Sequence, residues 1–246
     1  MIIGELGEKS TGILQEEVGA EPAEIHRKKR VCGFIDGFNF YHALDLFQPA
    51  IPVSDPDRYR KYKWIDFTAL LQKYIRHRTE VLSTVTYFTA YPTWKNSEEK
   101  RRRHAIFVAA QEQMGVQVTF GEFKPKQTKC QSLCRQVFTT YVEKQTDINI
   151  AVAMIHSVDC YDKAILLTAD SDQVPVIKLL KTLYPSKRFA NLPPIGRGAK
   201  DLGRVCHEQF KMTEAHLAAC QLAIPLPVIR EGKPTGAYLV KPSQWP

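Results

Sequence analysis

The chain has 246 residues, 44% of them hydrophobic, which is enough for one α/β domain with extensions. No stretch approaches the ~20 apolar residues of a membrane span, no apolar h-region marks a secretory signal, and six scattered cysteines suit reduced thiols in a cytoplasm better than a disulfide framework. A formal charge of +8 favours an anionic partner, of which nucleic acid is the commonest.

Residues 1–30 show no sustained period and end in His26-Arg27-Lys28-Lys29-Arg30, which reads as an N-terminal tail with a basic boundary. Val31 to Asp36 is the first strand, turned by Gly37-Phe38-Asn39 into a helix through Tyr41, Leu44 and Phe47. Asp36 thus stands at the carboxyl end of an apolar strand, either as a helix cap or as a functional carboxylate. Asn39, three residues on, is aimed by the first helical turn back at that carboxylate.

Residues 49–63 are rich in Pro, Asp, Tyr and basic residues and read as a loop. Arg58, Arg60, Lys61 and Lys63 interleave with Tyr59 and Tyr62, a composition that pairs with phosphates and stacks on bases, or else snorkels from an insertion. Trp64 to Ile75 has helical spacing, and Val81 to Ala90 is β-branched and aromatic, the second strand. Ser97 to Met114 is a long helix with Ile106, Phe107, Ala110 and Met114 inward and a basic run near its start. Gly115 ends it, and Val116 to Phe123 alternates as a third strand. Lys124 to Arg135 reads as a basic loop, in which Cys130 and Cys134 are free thiols or, by their spacing, a zinc pair lacking clear further ligands. Gln136 to Val142 is a strand or a bent connection. Thr146 then caps a helix over 148–158, with Asp147 in its first turn.

Ala164 to Thr168 is a short apolar run that reads as a strand buried on both faces of a parallel sheet. It delivers Asp170 and Asp172 to its carboxyl end, where open α/β sheets bind ligands. A helix follows over 173–183, with Pro175 in its first turn. Arg188 to Ala190 begins a short last strand. Ala199 to Cys206 and a helix over 213–221 follow, and a Pro-rich, irregular extension runs from Ala223, in which Tyr238-Leu239-Val240 could add an edge strand.

Alternation of strands and helices predicts a central, mostly parallel sheet covered on both faces. Right-handed crossovers set the first and fourth strand ends side by side at a switch point, where Asp36 meets Asp170 and Asp172 and the helix at Asp147 joins them. Clustered carboxylates repel, so the economical occupant is Mg²⁺ or Mn²⁺, with the chemistry of metal-dependent phosphodiester hydrolysis.

Three segments also carry a resemblance: Phe34-Ile-Asp-Gly-Phe-Asn-Phe-Tyr41, Glu143-Lys-Gln-Thr-Asp147-Ile-Asn-Ile-Ala, and Leu166-Leu-Thr-Ala-Asp-Ser-Asp-Gln-Val-Pro175. They are similar, in order, to the motifs of NYN domains, members of the PIN-like nuclease superfamily, in its bacterial branch. The similarity runs from about Val31 to Leu222, so the organisation expected is a tail over 1–30, a nuclease domain over 31–222 and an extension over 223–246. It implies a Rossmann-like, three-layer PIN-type fold and a metal-dependent endoribonuclease. By position Asp36, Asp147 and Asp170 would hold the metal, Asp172 would complete the set or act through water, and Asn39 would orient Asp36 or touch the scissile phosphate. Ala169 departs from the glycine usual in such relatives. Lys144 would neutralise the cluster, meet the substrate backbone or form an ordinary surface pair. Arg101, Arg102, Arg103, Lys124, Lys126 and Lys129 would guide RNA, single-stranded or structured, whose hydrolysis leaves a 5′-phosphate. No membrane partner is expected, and homo-oligomerisation is left open. The alternative function is a silent module of the same fold that binds RNA or a protein. A receiver-like phosphoacceptor would need a phosphorylated Asp on a central strand and a Lys after the last one, and neither is evident.

Overall fold

The computed structural model describes residues 27–45, 58–130 and 135–245. The first strand, β1 (Lys29–Asp36), leads through Gly37 into α1 (Gly37–Asp45). A 3₁₀ turn over Arg60–Lys63 and the short α2 (Phe67–Gln72) precede β2 (Glu80–Thr89). Next come α3 (Glu98–Gln113), β3 (Gln117–Phe120), β4 (Glu122–Lys129), β5 (Val137–Lys144) and α4 (Thr146–His156). The second half holds β6 (Lys163–Leu167), α5 (Val174–Leu183), β7 (Arg188–Asn191), α6 (Lys200–Val205), β8 (Glu208–Gln209), α7 (Glu214–Ala219), β9 (Leu226–Arg230) and β10 (Lys233–Leu239).

A six-stranded sheet runs in the order β3-β2-β1-β6-β7-β8, with every pairing parallel. Successive strands step outward in one direction from β1 and then in the other from β6. The reversal at β1 and β6 leaves a crevice at their carboxyl ends, since the crossovers after the two strands turn to opposite sides. Strand alternation divides the core. Val31, Ile35, Ile165 and Leu167 face a cluster with α2, α3 and α7, while Cys32, Phe34, Ala164 and Leu166 face one with α4, α5 and α6. All five residues of β6 are buried, as a strand covered on both faces requires. The architecture is therefore three-layered α/β of the PIN-like type.

Several elements differ from their sequence reading. The helix expected over 64–75 shrinks to α2, because Asp66 caps it by accepting from the Ala69 amide at 2.9 Å. The basic groups before it are engaged internally. Arg58 pairs with Glu214, Lys63 reaches Asp45 at 2.5 Å and Arg60 reaches Asp45 at 2.8 Å, so this cluster ties α1 and α7 together and is not a free phosphate surface. The strand expected over 116–123 breaks at Gly121, and the supposed basic loop after it is β4, paired antiparallel with β5 through eight register positions. Gly121 is needed because a Cβ there would lie 2.6 Å from the Lys144 carbonyl and 2.7 Å from Thr146 Oγ1. The Pro-rich extension, expected to be irregular, contains the β9–β10 hairpin and sends Trp245 into the core against Trp64 and Phe107. The tail before Arg27 and Cys134 lie outside the described residues, as does the 49–57 part of the loop expected over 49–63. No helix among the described residues is long and apolar enough to cross a membrane.

Candidate metal centre

Asp36 ends β1 and lies almost wholly buried at 4% exposure. Oδ1 accepts from the backbone amide of Asn39 at 2.9 Å, and Oδ2 accepts from the Thr168 hydroxyl at 2.8 Å. The Asn39 side chain does something else. Its Oδ1 accepts from the Ala169 amide at 3.1 Å, fastening the turn after β6 to α1. The first helical turn thus presents the Asn39 amide to Asp36, while the side chain reaches the neighbouring strand end. Ala169 is absent from the positive-φ positions, so the turn has no need of glycine there.

Thr168 couples the two strand ends, since its Oγ1 also accepts from the Asp170 amide at 3.1 Å. Asp170 in turn caps the following 3₁₀ turn by accepting from the Asp172 amide at 2.9 Å. The capping role weighed from sequence is real, yet it occupies a single oxygen and leaves the carboxylate at the rim. Asp147 sits at the second position of α4, one place later than the sequence reading put it. Thr146 opens the helix and gives its hydroxyl to Glu143 at 2.6 Å instead of capping, and Gln145 precedes it at φ 74°.

One carboxylate oxygen each from Asp147, Asp170 and Asp172 lies within 4.8 Å of the others. Asp36 is outside that triad but lines the same cleft of about 270 Å³, with Phe38, Asn39, Tyr141, Glu143, Thr146, Asp147 and Asp170. No basic side chain is among these lining residues. The electrostatics follow. Burial pushes Asp36 up to about 6 against its two hydrogen bonds, and the charges of Asp147 and Asp170 add to the rise. Desolvation first, then Asp170 and Asp172, raises Asp147. Glu143 is pushed up to about 7 by burial, with Asp36 and Asp147 contributing.

Glu143 was not singled out as a site residue from the sequence. Only the pairing of β5 with β4 reveals that its face of the strand turns to the carboxylates. Lys144, one residue on, takes the opposite face across from Glu122 and does not line the cleft. Nor do the other expected substrate contacts. Lys124 pairs with Glu122 at 2.8 Å, while Lys126 and Lys129 are exposed along β4. Arg103 pairs with Glu99 at 3.1 Å, Arg101 lies over the Tyr91 ring, and Arg102 is exposed. Because α3 follows β2, these arginines near its amino end stand on the rim that carries the cleft. The structure therefore gathers the acidic residues and brings none of the expected basic contacts into the cleft.

The donor set fits a hard divalent cation. All its ligand atoms are carboxylate oxygens, no basic side chain lines the cleft to balance their charge, and Gln173 Oε1, buried beside Asp172, has no hydrogen-bond partner among the described residues.

The family model of the NYN domain matches residues 30–186. A crystal structure of a protein of unknown function from Vibrio parahaemolyticus aligns with a TM-score of 0.50 at 14% identity, over 78% of this chain and 98% of that one. At that identity the likeness is one of fold. No curated protein matches the chain.

Proposed function

The chain belongs to the NYN domain family, a family of PIN-like nucleases, and from that premise we propose that it is a Mg²⁺- or Mn²⁺-dependent endoribonuclease. The observation that carries the reading is the convergence of Asp147 with Asp170 and Asp172 within 4.8 Å, beside a cleft that the buried Asp36 also lines.

In this reading Asp147, Asp170 and Asp172 hold the ion, with Asp36 at the floor of the cleft. A bound divalent cation supplies Lewis acidity toward a phosphoryl oxygen and a nucleophile at neutral pH. The protein's own groups set the stage for in-line attack on phosphorus. The Thr168 hydroxyl and the Asn39 amide fix Asp36, and the Asn39 side chain fixes the turn that bears Asp170. Glu143 adds negative charge at the wall, where it can take a proton on its carboxylate as the reaction proceeds. The arginines of α3 and the lysines of β4 draw the RNA backbone to the rim, as a chain with +8 net charge would.

The test is incubation with labelled single-stranded RNA and Mn²⁺, with EDTA and Asp170→Asn as controls. Metal-dependent cleavage, reduced at least about a hundredfold in the variant, supports the enzyme. RNA binding without cleavage in any divalent metal would instead indicate a silent module.

A further inference from the structure

Beside the carboxylates stands a group of rings that the acidic chemistry does not use. Phe38 opens α1, Trp94 lies in the loop before α3, Phe123 is on β4 and Tyr141 is on β5. Phe38 and Phe123 have centroids 6.3 Å apart, Trp94 meets Phe123 edge-on at 5.3 Å, and Trp94 leans on Tyr141 at 5.2 Å. Four separate segments supply them, so the assembly is tertiary. Phe38 and Tyr141 line the carboxylate cleft itself, yet they remain 43% and 38% exposed. A cation borders the group: the Lys100 ammonium sits 5.6 Å from the Trp94 ring centre.

We propose that these rings, Phe38, Trp94, Phe123 and Tyr141, form a stacking shelf for unpaired nucleobases beside the carboxylate cleft. Bases resting on Tyr141 and Phe38 place the adjoining phosphodiester over the carboxylate cleft, a placement that rests on the nuclease reading above. An exposed aromatic patch calls for a partner. Here the patch is continuous with a carboxylate cleft suited to a cation and the phosphate it would hold, and Lys100 borders its Trp94 end, which favours a phosphodiester strand over an apolar protein surface. A duplex has no free base faces to offer, because its bases are already stacked on one another, whereas a single strand exposes them to aromatic side chains.

The test is fluorescence anisotropy in Ca²⁺ with an end-labelled, non-self-complementary RNA of about ten nucleotides, the same sequence as a blunt duplex, and a copy with abasic riboses. The shelf predicts that the single strand binds about tenfold or more tighter than the duplex and that abasic substitution removes the difference. Tyr141→Leu and Phe38→Leu should each weaken single-strand binding about tenfold, with Tyr141→Trp close to wild type. Leucine keeps the apolar packing, circular dichroism reports folding, and the abasic probe needs no variant. Equal binding of strand and duplex, or indifference to the abasic copy, overturns the shelf. Cleavage that survives unchanged in both leucine variants also overturns it while leaving the nuclease standing. Ring-dependent binding with no cleavage in Mn²⁺ upholds the shelf and removes the nuclease.

Discussion

Thr168 has no bulk or charge to mark it in the sequence, yet it is fully buried and joins the two strand ends of the site. Thr168→Val keeps its shape and removes the hydroxyl donated to Asp36, a bond to a charged group worth about 1.5–3 kcal/mol. Urea unfolding without metal should register a loss of that order, and Mn²⁺ titration should show weaker binding, since Asp36 is then harder to ionise. His104 shows how one residue sets a pH limit. It meets the Thr89 hydroxyl at 2.9 Å, and burial lowers its pKa to about 4. Between the ordinary value near 6.5 and about 4, the unfolded chain takes a proton that the folded one refuses, so stability falls as pH drops through that window. Asp36 and Glu143, raised to about 6 and about 7, act oppositely: their stabilisation is present at low pH and lost as pH rises. The comparison that isolates His104 is thus wild type against His104→Gln in EDTA. The variant should lose an acid-side decline on the order of 2 kcal/mol in chemical denaturation, and identical profiles would contradict the assignment.

At the scale of elements, the site depends on how closely α1 can approach β2. A Cβ on Gly37 would lie 2.4 Å from the Tyr87 ring and 2.5 Å from the Phe88 carbonyl oxygen, and a carbonyl within the sheet has little room to yield. Gly37→Ala should push the start of α1 outward and pull Asn39 away from both Asp36 and Ala169. The expected cost is about 2 kcal/mol or more in thermal unfolding. Cleavage should fall about tenfold or more even at temperatures where the variant is fully folded, because the positions of the carboxylates are disturbed. The β4–β5 hairpin matters for a different reason. Its first strand reads in sequence as a basic, cysteine-bearing loop and its second as a strand or a bent connection, since a pair rich in Lys, Thr and Gln has no apolar alternation against which to read a register. It brings Tyr141, Val142 and Glu143 to the cleft, which Lys144 at the end of β5 does not line.

For the molecule as a whole, the carboxyl-terminal segment completes the core. Trp245 packs against Phe107 at 5.6 Å and Trp64 at 6.3 Å, while β9 and β10 rest on α3. Trp245→Ala should cost roughly 3 kcal/mol by differential scanning fluorimetry, whereas a detached tail would show no change. The same scale separates what was legible from what was not. A mostly parallel sheet with β1 beside β6 follows from alternating elements, buried apolar runs and right-handed crossovers, and with it the placing of Asp36, Asp147 and Asp170 on one cleft, whereas the full strand order and β8 came with the structure. Those inferences rest on periodicity and chain direction, which a sequence carries in full. Three facts depended on the folded chain: that Asp147, Asp170 and Asp172 converge as a triad with Asp36 outside it, that Glu143 shares the cleft, and that four rings from separate segments gather beside it. Each is set by strand register and close packing, which arise from contacts between residues distant along the chain and leave no local pattern to read.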